Sequence, residues 1–172
     1  MNTTMKSESN LRKVHQSPLN YFVTLYTRSE VSYFGQIRDN KLNLLTVGKI
    51  ADMIFTMTPS IYEEAFVVQS VIMPNHIHLL LAADGSINST RKKIRGLKSA
   101  IKNLANMCGQ ELHWKATHQV YQIMDAKDLE RFKWYTLINA AVWKSDSLNR
   151  EKQLLLYPRS FQQLRDWIAR MQ

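Results

Sequence analysis

An α+β domain, a mainly antiparallel sheet with helices laid on it, is the fold class that this 172-residue sequence predicts. Three observations carry that expectation. Short runs rich in β-branched and aromatic residues alternate with amphipathic stretches at helical spacing. Several of the runs are separated only by turn residues, as antiparallel neighbours are. The length suits one domain with a sizeable core, and 45% hydrophobic against 22% charged residues is ordinary for a globular chain.

The elements follow in order. Residues 1–17 are polar and are expected to form a flexible amino-terminal segment, leaving 18–172 as a single domain. NYFVTLYT (20–27) reads as a strand. YFGQI and KLNLL read as a hairpin turning at Asp39-Asn40. Thr46 is placed to cap a helix running to Met57, with Ile50, Met53, Ile54 and Met57 as its apolar stripe and Pro59 as its stop. Residues 63–74 and 76–83 read as two strands broken at Pro74-Asn75, or as one bent strand. After the loop ADGSINST, Ser89 or Thr90 should cap a basic helix over about 90–107. Residues 113–124 look irregular, with a short extended piece at 120–124. Asp125 should cap a helix reaching Ala141, and 160–172 reads as an amphipathic helix with Phe161, Leu164, Trp167 and Ile168 on one side. No internal repeat, low-complexity tract or linker interrupts the chain.

Charge narrows the partner. Twenty-three Lys and Arg against fourteen Asp and Glu give a net charge of +9 and a pI near 9.7, which favours a polyanion: nucleic acid or an anionic membrane surface. No apolar run approaches a membrane span, and the first residues lack the apolar segment of a secretion signal, so a cytoplasmic protein without a membrane partner is expected. A single cysteine, Cys108, excludes an internal disulfide framework and a cysteine-based zinc site. Arg91, Lys92, Lys93, Arg95, Lys98 and Lys102 place six cations within twelve residues of the basic helix. Such a cluster is often only a solvated face, but in a chain of this charge it points to contact with a nucleic-acid backbone. Arg91, Arg95, Lys98 and Lys102 share one helical stripe, and Lys92 and Lys93 lie off it. Tyr21, Phe22, Tyr26, Trp114 and Tyr121 are candidates to stack bases, although aromatic residues at such positions are more often core.

The segment MPNHIHLLL (73–81) holds two histidines, His76 and His78, in an otherwise apolar run. In a strand these side chains share a face, about 6–7 Å apart at Cα. A histidine there is commonly a hydrogen-bonded core residue, but two neutral imidazoles can also share a divalent cation. A third ligand must then come from elsewhere. In RFKWYTLINAA (131–141), Trp134, Leu137, Ile138 and Ala141 fall at the spacing of a core stripe. Tyr135 and Asn139 lie one turn apart on its flank. They read either as surface residues or as an attacking hydroxyl beside an oxygen ligand.

VIMPNHIHLLL resembles the His–apolar–His motif of the single-tyrosine HUH transposases, above all the REP-associated tyrosine transposases with their V-x-M-P-N-H-x-H segment. YFVTLYTR, the YFG hairpin, LTVGKIADMI, GLKSAIKN and YTLIN-x-x-x-W are similar to further segments of that family, so the resemblance runs through most of the chain. The resemblance implies a ferredoxin-like or RRM-like fold with the histidine strand central, the tyrosine helix beside it and helices on one sheet face. It makes Tyr135 the nucleophile and His76, His78 and Asn139 the ligands of Mg²⁺ or Mn²⁺. It also implies cleavage and rejoining of single-stranded, hairpin-containing DNA through a 5′-phosphotyrosine, by a monomer or homodimer. Two departures stand out: Ala140 replaces the family's proline after Asn139, and Tyr121 is followed by Gln122-Ile123-Met124 without the usual histidine. A catalytically silent nucleic-acid-binding protein of the same fold is the main rival, and a phosphoesterase using the histidine pair and water is the weaker one.

Overall fold

The computed structural model describes residues 18–38 and 41–142. Strand β1 (Leu19–Thr27) leads through a one-turn 3-10 helix to a hairpin of β2 (Gly35–Arg38) and β3 (Lys41–Leu44). Helix α1 (Thr46–Thr56) and the short α2 (Thr58–Ile61) precede β4 (Ala65–Ile72) and β5 (His76–Ala83). Then come α3 (Ile87–Met107), β6 (Trp114–Ile123) and α4 (Ala126–Val142). The main sheet has the order β4-β5-β1-β6 with every pairing antiparallel, so β5 is interior as expected. This is the α+β, ferredoxin-like βαββαβ arrangement, with the β2–β3 hairpin as a separate two-stranded sheet.

Both sheet faces are covered, not one. Tyr21, Val23 and Leu25 of β1 and Ile77, Leu79 and Leu81 of β5 form one core with α1 and α3. Phe22 and Leu80, on alternate positions, form a second core with Ile123, Phe132 and Tyr135. A strand buried on both faces shows continuous apolar character, which is how HIHLLLAA reads.

Several boundaries differ from the sequence expectation for local reasons. The chain turns back at Met73-Pro74-Asn75, where the Met73 N–H donates to the His76 carbonyl at 2.8 Å, so β4 and β5 are two paired strands. Strand β6 runs for ten residues where an irregular segment was expected. It is an edge strand whose residues 115–117 are all exposed, so no apolar alternation betrays it. Helix α3 starts at Ile87, capped by the Ser86 hydroxyl oxygen, which accepts from the Ser89 N–H at 3.3 Å. Ser89 and Thr90 lie inside the first turn, and Thr90 is buried. Thr46 is the first residue of α1 rather than its cap; the capping position is Leu45, whose N–H is held by the Phe34 carbonyl. The buried stripe of α1 is Val47, Ile50, Ala51, Ile54 and Phe55, while Met53 and Met57 are exposed. Pro59 ends α1 but opens α2, where a missing N–H costs nothing. Gly48 lets α1 approach the hairpin, since a Cβ there would sit 2.1 Å from the Phe34 carbonyl oxygen. The amino-terminal segment, the turn at 39–40 and the expected helix at 160–172 lie outside the described residues.

Candidate functional site

Register brings the histidines into company. Thr24 of β1 stands opposite His78 and Tyr26 opposite His76, so Phe22, Thr24, Tyr26, His76, His78 and Leu80 share one sheet face. The two imidazoles are side by side, 4.7 Å between centroids, and both are buried.

Each ring is oriented by a neighbour. His76 Nδ1 lies 2.9 Å from Asn75 Oδ1. The Asn75 amide donates to the Glu30 carbonyl at 3.2 Å, which turns Oδ1 toward the imidazole. An acceptor at Nδ1 requires the proton there, so His76 Nε2 carries the lone pair. Asn75 is itself fixed: its carbonyl accepts from the Thr27 N–H at 3.0 Å and from the Thr27 hydroxyl at 2.9 Å. Ser29 and Glu30, beside it, both adopt left-handed φ of 55°, a strained backbone for non-glycine residues. His78 Nδ1 pairs with the Thr24 hydroxyl at 3.0 Å, and its ring stacks on Phe22 at 5.3 Å.

Helix α4 delivers the phenol. Asp125 Oδ1 caps it by accepting from the Asp128 N–H at 2.8 Å. Of its described side chains, Asp128, Phe132, Tyr135 and Thr136 are buried, whereas Leu137, expected in the core stripe, is 74% exposed and Trp134 is only half-buried. Apolar residues surround this helix, so hydropathy alone does not choose the face; Phe132 stacked on Phe22 at 4.4 Å does. Tyr135 is therefore turned inward, and its hydroxyl pairs with His78 Nε2 at 3.4 Å. Gln69 of β4 clamps the helix, its amide donating to the Lys133 carbonyl at 3.0 Å and to the Thr136 hydroxyl. With no proline after Asn139, α4 continues through Val142. Asn139 lies on the turn after Tyr135, and its side chain falls outside the described residues.

Burial sets the charge state. Desolvation, then repulsion from His78, holds His76 well below the usual histidine value, and burial pushes His78 down to about 3. Both rings are neutral at pH 7 and keep a lone pair, the form a metal requires. Among the described residues no group of three or more His, Cys, Asp and Glu gathers to hold an ion. Two neutral imidazoles suit a divalent cation only if oxygen donors complete the shell, such as a carboxamide, water or substrate phosphate.

The six cations divide. Arg91, Lys92, Arg95 and Lys102 are exposed. Lys98 is only 8% exposed, donates to the Lys115 carbonyl at 2.8 Å and lies over the Trp114 ring. Lys93 is tied to the Asp84 carbonyl, the Ser89 hydroxyl and the Glu64 carboxylate. The exposed stripe runs beside the β6 edge, where Lys98, Arg91 and Arg95 add to burial in lowering the His118 pKa. Sequence reasoning missed Thr24, Gln69 and the orienting role of Asn75. Asn75 was visible only as a motif letter, and the other two depend on register.

No family model and no curated protein matches the sequence. Among solved structures the chain is similar to a REP-associated tyrosine transposase bound to a REP hairpin, at 18% identity and a TM-score of 0.55. That match covers 76% of this chain and 71% of the other. A candidate transposase from Deinococcus radiodurans aligns at 16% identity and a TM-score of 0.44, over 74% of this chain and 95% of that one. The likeness is one of fold. Among the described residues no helix is long and apolar enough to cross a membrane.

Proposed function

We propose that this chain is a cytoplasmic transposase-like enzyme that cleaves and rejoins single-stranded, hairpin-containing DNA through a phosphotyrosine at Tyr135. One observation carries the reading: a tyrosine 57 residues away in sequence is turned inward onto the second histidine of the H-x-H pair. A buried phenol aimed at an imidazole is not what a surface tyrosine near a helix end would show. The fold shared with a hairpin-bound transposase supports the choice of DNA, and so does the net charge of +9.

A free phenol, with a pKa near 10, is a weak nucleophile at neutral pH and needs an activated target. Mg²⁺ or Mn²⁺ held by His76 and His78, with Asn139 as the proposed third ligand, would polarise the scissile phosphate and offset its developing charge. The chain supplies the rest. Asn75 holds His76 in the tautomer that presents Nε2, and Thr24 engages His78 at Nδ1, which leaves Nε2 of that ring facing the site. Gln69 holds α4 so that the phenol meets the histidines. The Tyr135 oxygen forms a bond to phosphorus, the phenol proton leaves, and the P–O3′ bond breaks to a 3′-hydroxyl. The phosphotyrosine conserves the bond energy, so a second 3′-hydroxyl can reverse the step and join strands without ATP. Arg91, Arg95 and Lys102 hold the backbone, joined by Lys92 off the stripe; Lys93 and Lys98 serve chiefly the fold.

A labelled single strand carrying an imperfect hairpin, incubated with Mn²⁺, tests this. The expected result is a free 3′-hydroxyl product and a protein-linked remainder, both abolished by chelator. Tight binding without cleavage in any divalent ion would make the chain a silent binding protein. A free 5′-phosphate with no protein link would make it a phosphoesterase using water.

A further inference from the structure

We propose that Tyr26, Gln119 and Lys115 form a nucleotide platform that receives one unstacked base beside the histidine pair; this rests on the DNA-processing reading above. The argument begins with the route. Helix α3 and its exposed cations lie on the sheet face opposite His76 and His78. A strand held on Arg91, Arg95 and Lys102 must therefore round the β6 edge to reach the site. Helix α4 covers the Phe22, Leu80 and Ile123 end of the histidine face. Among the described residues no helix covers the other end, where Tyr26 pairs with His76 and Thr24 with Gln119, and the strand can enter there.

The residues at that entrance suit a nucleotide. The Tyr26 ring is half-buried, its centroid 6.4 Å from that of His76. Its hydroxyl donates to Gln119 Oε1 at 2.9 Å, which fixes the ring and directs the Gln119 amide hydrogens elsewhere. Gln119 and Lys115 are both exposed on the edge strand. The Lys115 ammonium lies over the Tyr26 ring, 5.5 Å from its centroid, marking an aromatic face that reaches solvent. A base can take that face while the released ammonium pairs with its phosphate, and the carboxamide can meet the base edge. Three of the other aromatic candidates are committed to the fold. Tyr21 and Phe22 are buried, and the Trp114 indole donates to the Lys98 carbonyl. Stacking requires a base free of its duplex neighbours, so the platform selects single-stranded over paired DNA at this entrance.

The test uses the full chain and an oligothymidylate with one 5-iodouracil. Irradiation should crosslink the iodouracil to the peptide carrying Tyr26, as mass spectrometry reads. Tyr26→Leu should remove that crosslink and weaken oligothymidylate binding by about 5- to 100-fold. Tyr26→Phe keeps the stacking ring and loses only the Gln119 bond, so it should stay within about threefold of the parent. Lys115→Gln should lower the salt dependence by about 0.7 in log–log slope. Crosslinking confined to other peptides, or a folded Tyr26→Leu variant that binds like the parent, overturns the platform and leaves the enzyme reading standing. Failure of the parent chain to bind any single strand removes both.

Discussion

Acid should unfold this domain through the two site histidines. Both are buried neutral, His78 with its pKa pushed down to about 3 and His76 well below the usual value. In the unfolded chain each would titrate near 6.5. Above that pH neither state binds the proton, and their full contribution to stability is present. As pH falls below it, the unfolded chain takes up two protons that the folded chain refuses, so stability drops until the folded values are reached. At about 1.4 kcal/mol per unit, His78 alone costs about 2 kcal/mol by about pH 5, and His76 adds to it in the same direction. That is a large share of the roughly 5–15 kcal/mol that holds a domain folded. Urea unfolding of the metal-free protein, followed by circular dichroism over about pH 7.5 to 5, measures it. The His76→Gln/His78→Gln variant should lose most of the slope, the remainder coming from His118, also held low. Equal wild-type stability at both ends of the range, or an undiminished slope in the variant, would refute burial as the force keeping these imidazoles neutral.

Tyr135→Phe should tighten Mn²⁺ binding, read by calorimetry, by about two- to fivefold, because it frees the His78 nitrogen from a long, weak hydrogen bond while keeping the aromatic packing. Weaker binding would mean that the hydroxyl is itself a ligand. Asn75→Ala should lower the same affinity by about 10- to 100-fold, the usual effect of losing a histidine's orienting partner; unchanged affinity would show that the strand alone holds the ring. Arg91→Gln/Arg95→Gln should weaken binding to every single strand and lower the salt slope by about 1.4, whereas Lys98→Met should act mainly on thermal stability. The reverse pattern would move the backbone track off the exposed stripe.

Much of this architecture was legible because the relevant signals are local. His76 and His78 two residues apart on an apolar run place both rings on one face of a strand, and interior strand β5 bears that out. Asp125 before a helical stretch marks the start of α4. What escaped depends on contacts made across the fold. β6 hid because an edge strand need not alternate. The buried face of α4 was misjudged because Leu137 and Trp134 are as hydrophobic as Phe132, and only Phe22 across the sheet decides between them. Helical spacing put Lys98 on a stripe with Arg91 and Arg95, but not against the Lys115 carbonyl that takes it out of solution. Thr24 and Gln69 carry no motif at all; pairing register and the position of α4 bring them to the site.

The most direct test of the central claim is the chemical identity of the protein–DNA link. The protein should be incubated with a hairpin-bearing single strand and Mn²⁺, denatured, and digested with nuclease and protease. The peptide containing Tyr135 should then carry a nucleotide through its phenolic oxygen, and Tyr135→Phe should bind the same strand yet yield no adduct. A nucleotide on any other residue, or an adduct that persists in Tyr135→Phe, would contradict Tyr135 as the nucleophile.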